Sequence, residues 1–312
     1  MILEPITYSG GIYRHEEMVE LIEDLGGHII QRQVIAGDVV IQANVPREDI
    51  GILKEVAKPL LGSITISPLV GTEIAVVSMS LEIHHLPHTS CDVAEYLRRY
   101  GSKTNMVGLA RGFGKRIANL NVEERDVINE HDGAIFLLGN FEECIHYKFP
   151  TLRRGIHVPI VVTGGPSTES LKKIIDPPVE GYVGGIGRLM HRYRRPEELA
   201  KLEEIVAEIS RVLDVRRAEI AKDPLSINPP RLMEVIKEQV SAIEEVTSPT
   251  PITVQMTGLR VKLPYETYAG AIRDCEIEDG IHIGDIAHIL PSRMRNYIIV
   301  RIKPFSETNI VV

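Results

Sequence analysis

Between residues 72 and 187, short apolar runs alternate with stretches of helical spacing, and this alternation restricts the possible folds more than any other feature of the chain. Residues 74–77, 106–109, 134–138 and 160–162 read as strands, and residues 91–100, 122–130 and 141–154 read as the helices between them. A strand, a helix and a second strand make a βαβ unit, and a series of such units builds a parallel sheet. In open parallel sheets ligands bind outside the carboxyl ends of the strands. The loops that leave those ends are therefore where chemistry is expected.

The flanks read differently. In residues 1–70 a short strand at 6–8 is followed by a helix, two β-rich runs around the Ala36-Gly37 turn, a second helix after Pro46 and a last strand at 64–66. That order, βαββαβ, is the ferredoxin-like pattern. Residues 196–222 carry one long apolar stripe, including Leu202, Ile205, Ile209 and Leu213, and a stripe alone does not say what it faces. After Pro224 and Pro229-Pro230 comes a second helix, and from Ile252 the chain is again rich in β-forming residues. The expected fold is α/β. It has a ferredoxin-like domain over 1–70, a doubly wound parallel domain over 71–195, a helical arm over 196–250 and a small α+β cap over 251–312.

Composition excludes several functions. The formal net charge is −8, so the global basic footprint of a nucleic-acid-binding protein is missing. No apolar run approaches the roughly 20 residues of a membrane helix, and the N-terminus shows no basic segment leading into an apolar one. The three cysteines, Cys91, Cys144 and Cys275, are too few and odd in number for a secreted disulfide framework. A cytoplasmic protein with free thiols is expected.

Four loops should share the carboxyl edge. The first contains His85-x-x-His88-x-x-Cys91, which offers imidazole and thiol ligands within a short span. Cys91 would open a helix, where the dipole favours a metal-binding thiolate. Read without a ligand, it is a small buried hydrophobe. The second loop carries Arg111, Gly112, Gly114, Lys115 and Arg116. It lacks the Walker A spacing and the Mg²⁺-binding hydroxyl, so it suits an anion or a partner carboxylate rather than nucleotide hydrolysis. The third runs from Gly139 and Asn140 to Cys144 in the first turn of its helix, and the fourth contains Gly164 and Gly165. No nucleophile elbow or serine triad is visible, so catalysis by this chain alone is not expected. Cys275 lies in the acidic run Asp274-Cys275-Glu276 and reads as structural.

Several stretches resemble methanogenesis marker protein 7, an archaeal family. They are Glu4-Pro-Ile-Thr-Tyr-x-Gly-Gly-x-Tyr-Arg-His-Glu-Glu17, Met106-Val-Gly-Leu-Ala-Arg-Gly-Phe-Gly-Lys-Arg116, Val127-Ile-Asn-Glu-His-Asp132 and Val161-Val-Thr-Gly-Gly-Pro166. The resemblance implies a role in the reductive activation of methyl-coenzyme M reductase, whose nickel tetrapyrrole works only when the nickel is reduced. It implies an assembly with that reductase, McrC, other methanogenesis marker proteins and an ATP-binding-cassette ATPase. It also implies complex iron–sulfur clusters that relay electrons. Two well-placed cysteines cannot supply the four thiolates of an ordinary cluster, so a cluster here would be shared with a partner chain or take histidine ligands. The metal-ligand assignment falls on Cys91, Cys144, His85 and His88, and the cofactor-binding assignment on Arg111, Lys115, Asn140, Gly164 and Gly165. Two alternatives stand beside it: a stand-alone zinc or iron protein built on His85, His88 and Cys91, and a metal-free structural adaptor.

Overall fold

The computed structural model describes residues 3–78, 89–108, 120–139, 142–167, 179–186 and 196–312. The fold is mixed α/β, with one parallel sheet and further antiparallel sheets. Two compact units are present. One comprises Met1–Thr72, Tyr100–Ser102 and Asp223–Val312, and the other Glu73–Arg99 and Lys103–Lys222.

The first unit begins with β1 (Leu3–Gly11), α1 (Glu16–Asp24), β2 (His28–Ile35), β3 (Asp38–Pro46), α2 (Ile50–Ala57) and β4 (Ser63–Ile66). The four strands form an antiparallel sheet in the order β2-β3-β1-β4. Alternation along β3 turns Val39, Ile41, Ala43 and Val45 inward, as the period of two requires. They meet Ile6 and Tyr8 of β1, Met18 and Ile22 of α1, and Ile50, Leu53 and Ala57 of α2 in one core. Tyr8 packs so closely that two neighbours must lack a side chain. A Cβ at Gly10 would lie 2.2 Å from the Tyr8 hydroxyl oxygen, and one at Gly62 would lie 2.3 Å from its ring.

Helix α2 runs on through a turn that closes as a Schellman motif, with Gly62 N–H donating to Ala57 O at 2.9 Å and Leu61 N–H to Lys58 O at 3.0 Å. Leu61 takes the left-handed position of that motif, with φ of 53°, where glycine is the usual residue. A side chain there costs about 1–2 kcal/mol. Leu61 is 93% exposed, so no burial offsets that cost.

The second unit holds β5 (Glu73–Ser78), α3 (Thr89–Arg99), β6 (Lys103–Gly108), α4 (Val122–Asn129), β7 (Gly133–Leu137), α5 (Glu142–Arg153), β8 (Ile160–Gly164), β9 (Gly181–Gly184) and α6 (Pro196–Ile220). Its sheet has the order β6-β5-β7-β8-β9, and every pair in it is parallel. Ala75, Val77, Ala134, Phe136, Ile160 and Val162 turn to one face, under Ile128 of α4 and Ile145, Phe149 and Leu152 of α5. Ile74, Val76, Ile135 and Val161 are equally buried and point the other way by alternation. The packing partners of that face are α3 and α6. The stripe of α6 therefore has a definite partner: a Cβ on Gly133, the first residue of β7, would lie 3.4 Å from Leu213 and 3.5 Å from Ile209. The stretch 196–250, read from the sequence as one arm, is divided between the two units.

The remainder belongs to the first unit: α7 (Pro229–Gln239), β10 (Ile252–Gln255), β11 (Gly258–Val261), α8 (Tyr265–Arg273), the short pair β12 (Glu276–Glu278) and β13 (Ile281–His282), β14 (Ala287–Pro291) and β15 (Ile298–Ile302). An antiparallel sheet in the order β10-β11-β15-β14 packs its apolar face on Leu232, Val235 and Ile236 of α7 and on Ile272 of α8. Helix α7 also touches β2, where His28 Nδ1 lies 3.3 Å from Glu234 Oε1.

Candidate functional site

All pairings in the five-stranded sheet are parallel, so β5, β6, β7, β8 and β9 end on one edge, at Ser78, Gly108, Leu137, Gly164 and Gly184. Counted within this unit the strand order is 2-1-3-4-5. In that order the chain reverses its direction of travel across the sheet between the first and third strands, here β5 and β7, and that gap is where doubly wound proteins hold ligands. Cys91 is the third residue of α3, the helix that follows β5. Cys144 is the third residue of α5, the helix that follows β7. The sequence thus places a cysteine in the first turn of each helix that follows a strand bordering the gap. Cys91 is exposed, which departs from the reading of it as a buried hydrophobe.

The start of the fourth loop is pinned at Pro166. Tyr182 donates its hydroxyl to Pro166 O at 2.7 Å, and Ile186 N–H donates to Gly164 O at 2.9 Å. Burial, together with the nearby Glu142 carboxylate, pushes the Tyr182 hydroxyl well above its ordinary range, so it remains a donor. Gly164 is needed for packing, because a Cβ there would lie 3.0 Å from Ile145 Cδ1 and 3.1 Å from Gly139 O. A Cβ on Gly139 would meet nothing within 4 Å. Thr163, at the end of β8, is buried, with its hydroxyl oxygen lacking a hydrogen-bond partner among the described residues. Of the remaining expected residues, His85, His88, Arg111, Lys115 and Asn140 lie outside the described residues.

Cys275 belongs to the first unit. It is buried, donates its thiol to Ala271 O at 3.2 Å, and has its pKa raised by burial and then by Asp274. These are the properties of a structural thiol. Among the described residues, no three His, Cys, Asp or Glu side chains gather as a metal site. Three cysteines in the whole chain, one of them buried in the other unit, do not make a complete four-thiolate site.

The opposite edge holds a polar cluster that the sequence reading missed. Glu73, His131 and Asp132 are buried. His131 Nδ1 lies 2.8 Å from Val127 O, an acceptor only, so Nδ1 carries the proton and Nε2 accepts from Asn105 Nδ2 at 3.0 Å. The same amide donates to Glu73 Oε1 at 2.6 Å. Asp132 Oδ2 accepts from Glu73 N–H at 2.8 Å, and Asp132 N–H donates to Glu73 O at 2.9 Å. The cluster ties together the starts of β5, β6 and β7, which is a structural task. Its one sequence signal was the pair His131-Asp132 standing directly before an apolar run.

No helix among the described residues is long and apolar enough to cross a membrane. Among solved structures, the chain is similar to the sugar isomerase domain of an RpiR transcription factor from Sphaerobacter thermophilus, at 14% identity and a TM-score of 0.25 over 66% of this chain and 95% of that one. It is also similar to the glutamyl-tRNA reductase of Methanopyrus kandleri, at 10% identity and a TM-score of 0.21 over 78% and 86%. At these scores neither carries an argument. An uncharacterised protein of Methanocaldococcus jannaschii is 45% identical over 307 residues, which are 98% of this chain and 96% of that protein. A family model described as methyl-coenzyme M reductase operon protein C matches residues 3–275, and the chain therefore belongs to that family.

Proposed function

We propose that this protein is a non-ATPase subunit of an ATP-dependent assembly that reductively activates methyl-coenzyme M reductase, and that it holds part of an iron–sulfur cluster on the carboxyl edge of its parallel sheet. Membership of a family described by the reductase operon supports the tie to methanogenesis. The observation that carries the cluster reading is positional: Cys91 and Cys144 occupy matching places in α3 and α5, the helices that follow the two strands bordering the gap. Cys91 and Cys144, with His85 and His88, would hold the cluster together with ligands from a partner. When bound, such a cluster supplies one-electron transfer towards the nickel. The chain's own residues anchor the site, through the pinned turn at Gly164-Gly165-Pro166 and the α5 packing that seats its first turn. The cofactor-binding role assigned to Arg111, Lys115, Asn140, Gly164 and Gly165 belongs to the same proposal. McrC is one of the proposed partners. The other proposed partners are the reductase, further marker proteins and an ATP-binding-cassette ATPase.

The test is anaerobic purification of the tagged chain from a methanogen, with its partners identified and iron and acid-labile sulfide measured. Reductase or operon proteins recovered together with iron and sulfide are the expected result. Partners without iron or sulfide would replace this reading with a metal-free adaptor, and one zinc per isolated chain would replace it with a mononuclear metal site.

A further inference from the structure

We propose that the Asp279-Gly280 turn is a site of spontaneous isoaspartate formation, and that the Glu276 side chain holds it in check. The sequence has two Asp-Gly steps, Asp132-Gly133 and Asp279-Gly280, and no Asn-Gly. Such steps are chemically weak, because glycine has no Cβ to shield its nitrogen. That nitrogen attacks Cγ of the protonated aspartic acid. The N–Cγ bond forms, the Cγ–OH bond breaks, and the hydroxyl leaves with the N–H proton as water. Water then opens the cyclic imide. Opening at the main-chain carbonyl leaves the chain running through Cγ, with one more methylene in the backbone, while opening at Cγ restores aspartate. No oxidant, reductant or cofactor enters.

The fold separates the two steps. Asp132 is buried, its Oδ2 accepts from Glu73 N–H at 2.8 Å, and Gly133 opens β7, so the sheet fixes both reacting groups. Asp279 and Gly280 are exposed. They form the link between β12 and β13, where Glu278 pairs with Ile281. Both hold positive φ, of 49° and 79°, as a type I′ hairpin turn requires. The hydrogen bond that closes such a turn does not use the N–H of its second central residue, so Gly280 nitrogen is the group the hairpin itself leaves open to react.

Glu276 closes that opening. Gly280 N–H donates to Glu276 Oε1 at 3.0 Å. The Glu276 main chain is fixed to the end of α7, with its N–H donating to Gln239 Oε1 at 3.0 Å and its carbonyl accepting from Gln239 Nε2 at 2.6 Å. Ring closure must break the bond to Oε1 and swing the Gly280 nitrogen onto Cγ, and the hold of Glu276 opposes both. A hydrogen bond to a charged acceptor, discounted for its exposure to solvent, slows such a step about three- to tenfold. Ile277 and Ile281, on either side of the turn, pack against the core of the β10-β11-β15-β14 sheet, so a lengthened link loosens their seat.

The test compares the full chain with its Glu276→Ala and Glu276→Gln variants, held at neutral pH and one temperature below melting. Isoaspartate is counted by methyl transfer from an isoaspartyl methyltransferase and located by peptide mapping. Glu276→Ala should gain isoaspartate at position 279 about three- to tenfold faster than the parent. Glu276→Gln keeps an acceptor oxygen without the charge and should stay near the parent rate. Asp132 should stay unmodified in all three and serves as the control for general unfolding. Glu276→Ala no faster than the parent would overturn the proposal, as would a rise at Asp132 equal to that at Asp279. So would Glu276→Gln as fast as Glu276→Ala, since charge rather than the hydrogen bond would then set the rate, or a folded parent as fast at Asp279 as the same chain unfolded in urea.

Discussion

Tyr8 shows how one residue imposes requirements on others far along the chain. Its ring fills the space where Cβ atoms would stand on Gly10 and Gly62, so Gly62→Ala must push a buried ring aside. Overpacking of this kind costs about 1–3 kcal/mol, and urea unfolding of the variant should show that loss. The amino-edge cluster makes a second residue-scale case. Replacing Asn105 by Leu removes the donor to both Glu73 and His131 and should cost about 1–3 kcal/mol, the penalty for leaving buried polar groups short of a partner. A third concerns pH. Burial raises the Glu234 carboxyl, but hydrogen bonds from His28 and then Arg231 outweigh it, and the net pKa is lowered. A carboxylate with a depressed folded pKa adds stability above its unfolded value, and that stability is lost as pH falls through the folded one. His28→Ala should therefore flatten the fall in stability on acidification, as followed by melting temperature between neutral and acid pH.

At the scale of elements, legibility in the sequence followed burial. Strands buried on both faces were plain, because β5, β7 and β8 are runs of Ile, Val, Ala and Phe. Strand β9 was missed, since Gly-Tyr-Val-Gly has two glycines where β-forming residues are expected. Strand β6 begins at Lys103, three residues before its first apolar residue, and as an edge strand it tolerates Lys and Asn where an interior strand would not. The stripe of α6 was correctly seen but could not name its partner, which is the face formed by β7, β8 and β9. With that partner known, Ile209→Ala, which empties a fully buried place beside Gly133, should cost about 2–5 kcal/mol, measurable by denaturant unfolding. The placing of Cys91 and Cys144 in first helical turns was legible because each follows an apolar run and opens a helical pattern. The amino-edge cluster was not, because Glu73, Asn105 and His131 come from distant segments and only the strand register brings them together.

Across the whole molecule, the family match stops at residue 275, yet the fold does not. Strand β15 lies between β11 and β14, and Val300 is buried in the same core as Leu259 and Leu232. A chain cut after Cys275 would leave β11 with an open edge and the apolar face of its sheet half covered, so it should lose cooperative melting of the first unit or aggregate. The same scale bears on the functional account, since a chain with three cysteines, one of them buried in the other unit, cannot supply the four thiolates of an ordinary cluster. The measurement that bears on this most directly is iron and acid-labile sulfide per chain in the native assembly, beside Cys91→Ala and Cys144→Ala. The account predicts that each variant loses most of both while its partners are still recovered. Iron and sulfide unchanged in both variants would contradict it and remove the cluster from this edge of the sheet.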